Sequence, residues 1–349
     1  MIFSVFAYSR QGCRTAKKIE GLLNAEQIAC YTMEKFLEPG FSPLEKPSGD
    51  FYGRLFSASD ALIFVGSCGI AVRMIAPFVK DKKTDPAVLC VDELGKFVIP
   101  VLSGHIGGAN ALTEKLAEGL GAVPVVTTAT DINGKFSVDA WASQNGFSIS
   151  SMKTAKAVSA RILERSVPLC SRFPVAGTLP AGTEEGDRGD LGILLSYRLE
   201  RPFEETLRLV PKVLHLGLGC RRDTPQENIE AAVTQVFSEN QLDFGAVKCA
   251  ASIDLKKDEK GLLAFCEAHK VPISFYTAQE LQAVPGSFTP SQFVSSITGV
   301  DNVCERSAMV GADNIIVRKT ACNGVTVAVA EEYKEVSFGE GNRCGHWPR

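Results

Sequence analysis

The chain of 349 residues is short of several things, and each shortage removes a class of function. Its formal charge is only −3, with 37 Lys and Arg against 40 Asp and Glu. So small an imbalance gives no general pull toward nucleic acid or an anionic membrane, so no partner of either kind is expected. An acidic ligand would have to be held by local arginines, lysines and backbone amides. No apolar run approaches the length of a membrane span. None of the eleven cysteines is spaced C-x-x-C, so the usual zinc signature is missing and no metal site is expected. Thiols scattered in odd number over a chain of this size read as reduced, which points to the cytoplasm. Cys344-Gly345-His346 is the nearest approach to a metal pair, and a frayed terminus is the simpler reading. Met1-Ile2-Phe3-Ser4-Val5-Phe6 is apolar but short and runs straight into the polar turn Ser9-Arg10-Gln11-Gly12. It is expected to be a first strand, not a signal peptide.

What remains is ordinary globular composition, 45% hydrophobic and 22% charged, at a length that suggests two or three domains. The patterning predicts a multidomain α/β protein. Residues 1–134 alternate strand and helix: Ile2 to Tyr8, Ala61 to Val65, Ala87 to Asp92, Lys96 to Leu102 and Val123 to Thr128 are apolar runs, separated by helical periodicity. Continuous apolar strands argue for a mostly parallel sheet covered on both faces, a three-layer α/β/α domain. Residues 135–210 are weaker in pattern and read as a small α+β middle domain with an exposed polar loop at 181–190. Residues 211–336 read as a mixed-sheet α/β domain. There, Thr224 and Glu227 suggest a capping box around Pro225, and Asn323-Gly324 marks a hairpin. Residues 337–349 read as a tail.

The densest motif is Ser103-Gly104-His105-Ile106-Gly107-Gly108-Ala109-Asn110, where a strand turns into a helix. Glycines there let backbone amides approach a ligand, and the helix start favours anions. Two further loops, Gly66–Arg73 and Thr127–Asp131, also follow strands. All three are expected to follow strands of the same sense, so that in a doubly wound sheet the loops share one edge and bring together Ser67, Gly69, Arg73, Ser103, His105, Asn110, Thr127, Thr128 and Asp131, with Asp85 nearby. His105 is the natural acid–base group. Asn110 could cap the helix or touch a ligand, and Asp131 could orient His105 or start a turn. Gly217-Leu218-Gly219-Cys220-Arg221-Arg222 starts like a dinucleotide fingerprint but carries Arg222 at the third glycine position. Arg221 and Arg222 could instead hold a carboxylate or phosphate, or simply be exposed.

Taken in order, Gly69-Ile70-Ala71-Val72-Arg73, Asp85-Pro86-Ala87-Val88, the Ser103–Asn110 stretch, Thr127-Thr128-Ala129-Thr130-Asp131, the Gly217–Arg222 stretch and Val303 to Met309 resemble the cobalamin biosynthesis protein G family of the anaerobic pathway. The third domain is also similar to a separate protein of the aerobic pathway. The resemblance implies hydrolysis of a ring A lactone on a cobalt macrocycle and release of acetaldehyde. Cobalt would arrive with the substrate, so no cofactor is expected. The expected partner is an anionic corrinoid, with neighbouring pathway enzymes and a homodimer left open. His105 would be the base. The amides of Gly104, Gly107 and Gly108, with Ser103, would stabilise the oxyanion, and Arg73, Arg221 and Arg222 would hold peripheral carboxylates. A non-catalytic tetrapyrrole carrier remains the main alternative. A phosphosugar or nucleotide enzyme is disfavoured by the missing P-loop lysine.

Overall fold

A computed structural model describes residues 1–23, 27–46, 48–81, 84–290 and 299–339. The thiol–imidazole pair near the chain end lies outside them. The first domain runs β1 (Ile2–Ala7), α1 (Arg10–Leu23), β2 (Gln27–Thr32), β3 (Ser42–Pro43), α2 (Ser48–Ala58), β4 (Ala61–Val65), α3 (Cys68–Ile75), β5 (Ala87–Val91), β6 (Phe97–Leu102), α4 (Ala109–Leu120) and β7 (Val123–Pro124). Its strands form one sheet in the order β3-β2-β1-β4-β5-β6-β7. Every residue of β4 and β5 is buried. Val5, Ile19, Leu112 and Leu116 pack on one face of the sheet, and Phe6, Phe51, Tyr52 and Phe64 pack on the other. The sheet is therefore covered on both sides, which is why its central strands can be apolar throughout.

One strand breaks the parallel pattern and moves the site. β5 and β6 pair antiparallel. Only five residues join them, and a parallel crossover needs a dozen or more. Asp92 fastens the turn by accepting hydrogen bonds from the amides of Lys96 and Phe97, both at 2.6 Å, and Gly95 takes φ +69°. β7 follows β6 in parallel. The loops after β6 and β7 therefore emerge where β1, β4 and β5 begin, while the loop after β4 emerges at the opposite edge.

The middle domain contains α6 (Val138–Gln144), preceded by the short α5 (Ala129–Ile132), and then β8 (Phe147–Ile149), α7 (Met152–Glu164), β9 (Val167–Ser171), β10 (Val175–Ala176), β11 (Thr183–Glu185), β12 (Leu191–Leu195) and β13 (Glu205–Pro211). Its main sheet has the order β11-β9-β12-β13-β8 and is parallel except at β8. Part of the polar 181–190 stretch is thus an edge strand.

The third domain places β14 (Leu214–Cys220), α8 (Gln226–Glu239), β15 (Val247–Ile253), α9 (Lys260–Ala268), β16 (Ile273–Tyr276), α10 (Ala278–Ala283), a helix at Cys304–Met309, β17 (Asn314–Cys322) and β18 (Val325–Glu331) around a sheet of order β16-β15-β14-β18-β17. Asn323 and Gly324 both take positive φ, 48° and 80°, as a two-residue hairpin turn with right-handed strand twist requires. The expected capping box is not formed. Pro225 itself occupies the cap, so the helix starts at Gln226, and the Thr224 hydroxyl donates to the Arg221 carbonyl instead. The chain then returns to the middle domain. β19 (Val336–Ser337) pairs with β10, and Phe338 packs among Phe136, Trp141 and Phe147. Val336 to Phe338 thus belong to the middle core, not to a free tail.

Candidate functional site

The loop between β6 and α4 is built by constraint on its own backbone. Ser103 takes φ +57°, unusual for a residue with a side chain. A Cβ on Gly107 would lie 2.4 Å from the Cβ of Ser103, and one on Gly104 would lie 2.7 Å from Oδ1 of Asn110. Glycine is needed at both places because the loop folds tightly onto itself. Several donors expected to face a ligand are used inside the loop. The amides of Gly108, Ala109 and Asn110 donate to the carbonyls of His105, Ser103 and Gly104. The Ser103 hydroxyl donates to the Asp85 carbonyl at 3.0 Å. Ser103 and the Gly108 amide are therefore not free to stabilise an oxyanion, and the start of α4 is not an open anion site. Among the described residues, the amides of Gly104 and Gly107 donate no hydrogen bond.

His105 sits between two carboxylates. Its Nε2 lies 3.2 Å from Asp131 Oδ2, and its Nδ1 lies 3.0 Å from Asp139 Oδ1 and 3.2 Å from the Ser137 hydroxyl. Asn110 is not the cap of α4, which is Gly108. Its Nδ2 donates to Asp131 Oδ2 at 2.7 Å and to Thr128 Oγ1 at 2.9 Å, and so holds Asp131 in place. Burial of the ring opposes a positive charge. The hydrogen bonds and charges of Asp131 and Asp139 outweigh it and lift the His105 pKa to about 9. With a carboxylate at each ring nitrogen, the doubly protonated ring is the form that satisfies both contacts. A free basic nitrogen was expected, but both ring nitrogens are engaged, Nε2 by Asp131 and Nδ1 by Asp139.

The ring borders a cavity of about 430 Å³ whose wall includes Asp60, Asp85, Gly107 and Gly108 from the first domain and Ser143 and Gln144 from the middle one. Both wall carboxylates are oriented by backbone donors: the Ile2 amide on Asp60 and the Lys80 amide on Asp85. The other expected residues lie elsewhere. Ser67, Gly69 and Arg73 are exposed at the far edge of the sheet, because β6 is reversed. Thr127 is exposed and makes no side-chain hydrogen bond among the described residues. Arg221 and Arg222 are exposed on a third-domain loop and do not line this cavity. Gly217 is explained by packing: a Cβ there would fall 1.8 Å from the Cys304 carbonyl oxygen, where the Cys304–Met309 helix crosses β14.

The residues missed from sequence are Asp139 and Ser137. Ser-x-Asp at a helix start is an ordinary capping pattern, and nothing local signals that it faces His105. A buried acid in the third domain, Glu305, was also missed. It accepts from the amide and hydroxyl of Thr289 and from the Lys319 amide, a structural hub. No group of three or more metal-ligating side chains occurs among the described residues, and no described helix is long and apolar enough to cross a membrane.

These features define a multidomain α/β protein with a carboxylate-clamped imidazole on a cleft between its first two domains. The family descriptions "Cobalamin synthesis G N-terminal" and "Cobalamin synthesis G C-terminus" match residues 50–131 and 214–330. A cobalt-precorrin-5A hydrolase from Salmonella typhimurium is 34% identical over 93% of this chain and 96% of its own length. One from Priestia megaterium is 33% identical, covering 94% of each chain. Protein CobE from a Sinorhizobium species is 35% identical over 34% of this chain and 79% of its own. The chain belongs to the cobalamin synthesis G family, and its two near full-length relatives above are named as hydrolases.

Proposed function

We propose that this chain is a cytoplasmic cobalt-precorrin-5A hydrolase acting in the cleft around His105. The observation that carries the reading is the near full-length similarity to two proteins of that name. In the proposed reaction, water adds to the ring A lactone carbonyl and the C–O bond breaks, leaving a carboxylate and a free hydroxyl. Loss of the hydroxyl proton then forms acetaldehyde. The carbon–carbon bond to the macrocycle breaks, and its electron pair passes into the conjugated ring, which is protonated to cobalt-precorrin-5B.

The contacts support the following assignment of roles. His105 is assigned as the acid and hydrogen-bond donor rather than the base, through Nε2, which Asp131 would yield to the substrate. The Asp85 carboxylate on the cavity wall is assigned as the acceptor for the water proton. The amide of Gly107, on the cavity wall, is assigned to the oxyanion. At about 430 Å³ the cavity falls at the lower end of the range for a drug-sized ligand. It would take the ring A edge and leave the rest of the corrinoid outside. Cobalt is carried by the substrate, and no further cofactor is invoked.

The test is incubation with the cobalt lactone intermediate while following lactone loss and acetaldehyde. Stoichiometric acetaldehyde with turnover supports the reading. Tight binding without acetaldehyde would replace it with the carrier function.

A further inference from the structure

The first domain alone does not complete the clamp on His105. Asp131, on α5, is fixed by Asn110 and addresses only Nε2, with the Thr130 hydroxyl beside it at 3.5 Å. The groups facing Nδ1 come from the next domain. Asp139 Oδ1 accepts from the Ala140 amide at 3.1 Å and the Ser137 hydroxyl at 3.2 Å, so its carboxylate is held in one pose. Its helix is anchored by Phe136, Val138, Trp141 and Ala142, all buried in the middle-domain core. One turn on, the Ser143 hydroxyl donates to the Ile106 carbonyl at 3.4 Å, a second point at which α6 holds the His105 loop. The charged groups against the ring are thus Asp131 from one side and Asp139 from the other. The neutral ones are Thr130 and Ser137.

We infer that Asp139 is a positioning residue: through it the middle domain sets the orientation and charge of His105, so the centre is complete only when the two domains are docked. The inference rests on the proposed role of His105. Asp139 orients the imidazole through Nδ1, as a carboxylate does in a catalytic triad, and Asp131 holds the other nitrogen, Nε2. Here the orienting group lies across a domain boundary, so domain docking and proton affinity are coupled. Removing one opposite charge at this distance changes a pKa by about 1–3 pH units.

The experiment compares wild type with Asp139→Asn, which keeps the shape and an acceptor for Nδ1–H but removes the charge, and with Asp139→Glu. The His105 ring is followed by NMR titration, and turnover is followed against pH. The expected result for Asp139→Asn is a His105 midpoint at least one pH unit lower, with the alkaline limb of kcat shifted by the same amount and KM changed less than about three-fold. Asp139→Glu should restore much of both. An unchanged midpoint and limb in a folded Asp139→Asn protein overturns the inference. If Asp139→Asn does not fold, Asp139→Ser, which also removes the charge, decides: an unchanged His105 midpoint and alkaline limb overturn it, and a joint downward shift supports it. If wild type itself shows no turnover, the proposed reaction fails, and the midpoint alone decides whether Asp139 governs His105.

Discussion

Raising the pH from 7 toward 9.5 is expected to destabilise this protein through His105. In the fold its imidazolium titrates at about 9, because Asp131 and Asp139 outweigh the opposing effect of burial. In an unfolded chain a histidine titrates near ~6.5. The folded state therefore keeps its proton to higher pH. The stabilisation is fully present below about pH 6.5 and is lost as the pH rises through about 9. At ~1.4 kcal/mol per pH unit, the gap amounts to roughly 3 kcal/mol at low pH, of which about 2 kcal/mol disappears between pH 7 and 9. For a cooperative unit the size of the first two domains, that is a fall in Tm of about 4–8 °C. The assay is a series of thermal melts of wild type and His105→Gln across this range, with the His105 ring resonance titrated in parallel. Other groups titrate here too, so the readout is the difference between the proteins: wild type should lose stability that His105→Gln never had. Parallel curves, or a ring midpoint near 6.5, would refute the clamp as an ionic device.

Gly217→Ala should cost more than about 3 kcal/mol, seen as loss of soluble protein or a large fall in Tm, because the added carbon meets backbone of the Cys304–Met309 helix and not a side chain that can turn away. Phe338→Ala should cost about 3–5 kcal/mol and alter tryptophan fluorescence, since Phe338 is buried 4.9 Å from the Trp141 ring. If the reaction proceeds as proposed, the cleft should also favour neutral lactone over hydrolysed acid. Asp60 and Asp85 on its wall would repel a new carboxylate by about 1–2 kcal/mol, measurable as roughly ten-fold weaker binding of the acid to His105→Gln at low salt and less at high salt. Equal affinity for both ligands would remove that argument.

Much of the architecture was legible because burial on two faces leaves a plain mark. β4 and β5 read as unbroken apolar strands, and Asn323-Gly324 as a hairpin. These are local statements, and local chemistry decides them. The mistaken edge was legible too. A turn of Glu93-Leu94-Gly95 between two strands is too short for a parallel connection, so β6 had to reverse. Once it reverses, Arg73 and His105 cannot share an edge, whatever their motifs suggest. The capping box failed for a similar reason. One proline set one residue earlier makes Gln226 the first helical residue and leaves Thr224 to bond its own loop.

The glycines show where sequence patterns divide between ligand and packing. Gly104 and Gly107 lie in the loop the motif suggested, but their spacing first serves the fold: Ser103 and Asn110 occupy the space a side chain would need. Gly217, which opened an apparent nucleotide fingerprint, serves only helix-on-strand approach. What no pattern in the chain could show was Asp139. It stands 34 residues from His105, in another domain, behind an ordinary helix start. It meets the ring only because β6 reverses, carrying the loop to the side on which α6 docks. The same reversal sets a histidine that looked like a free base between two carboxylates. Its chemistry is set less by its own motif than by the sense of the strand before it and by the domain that follows.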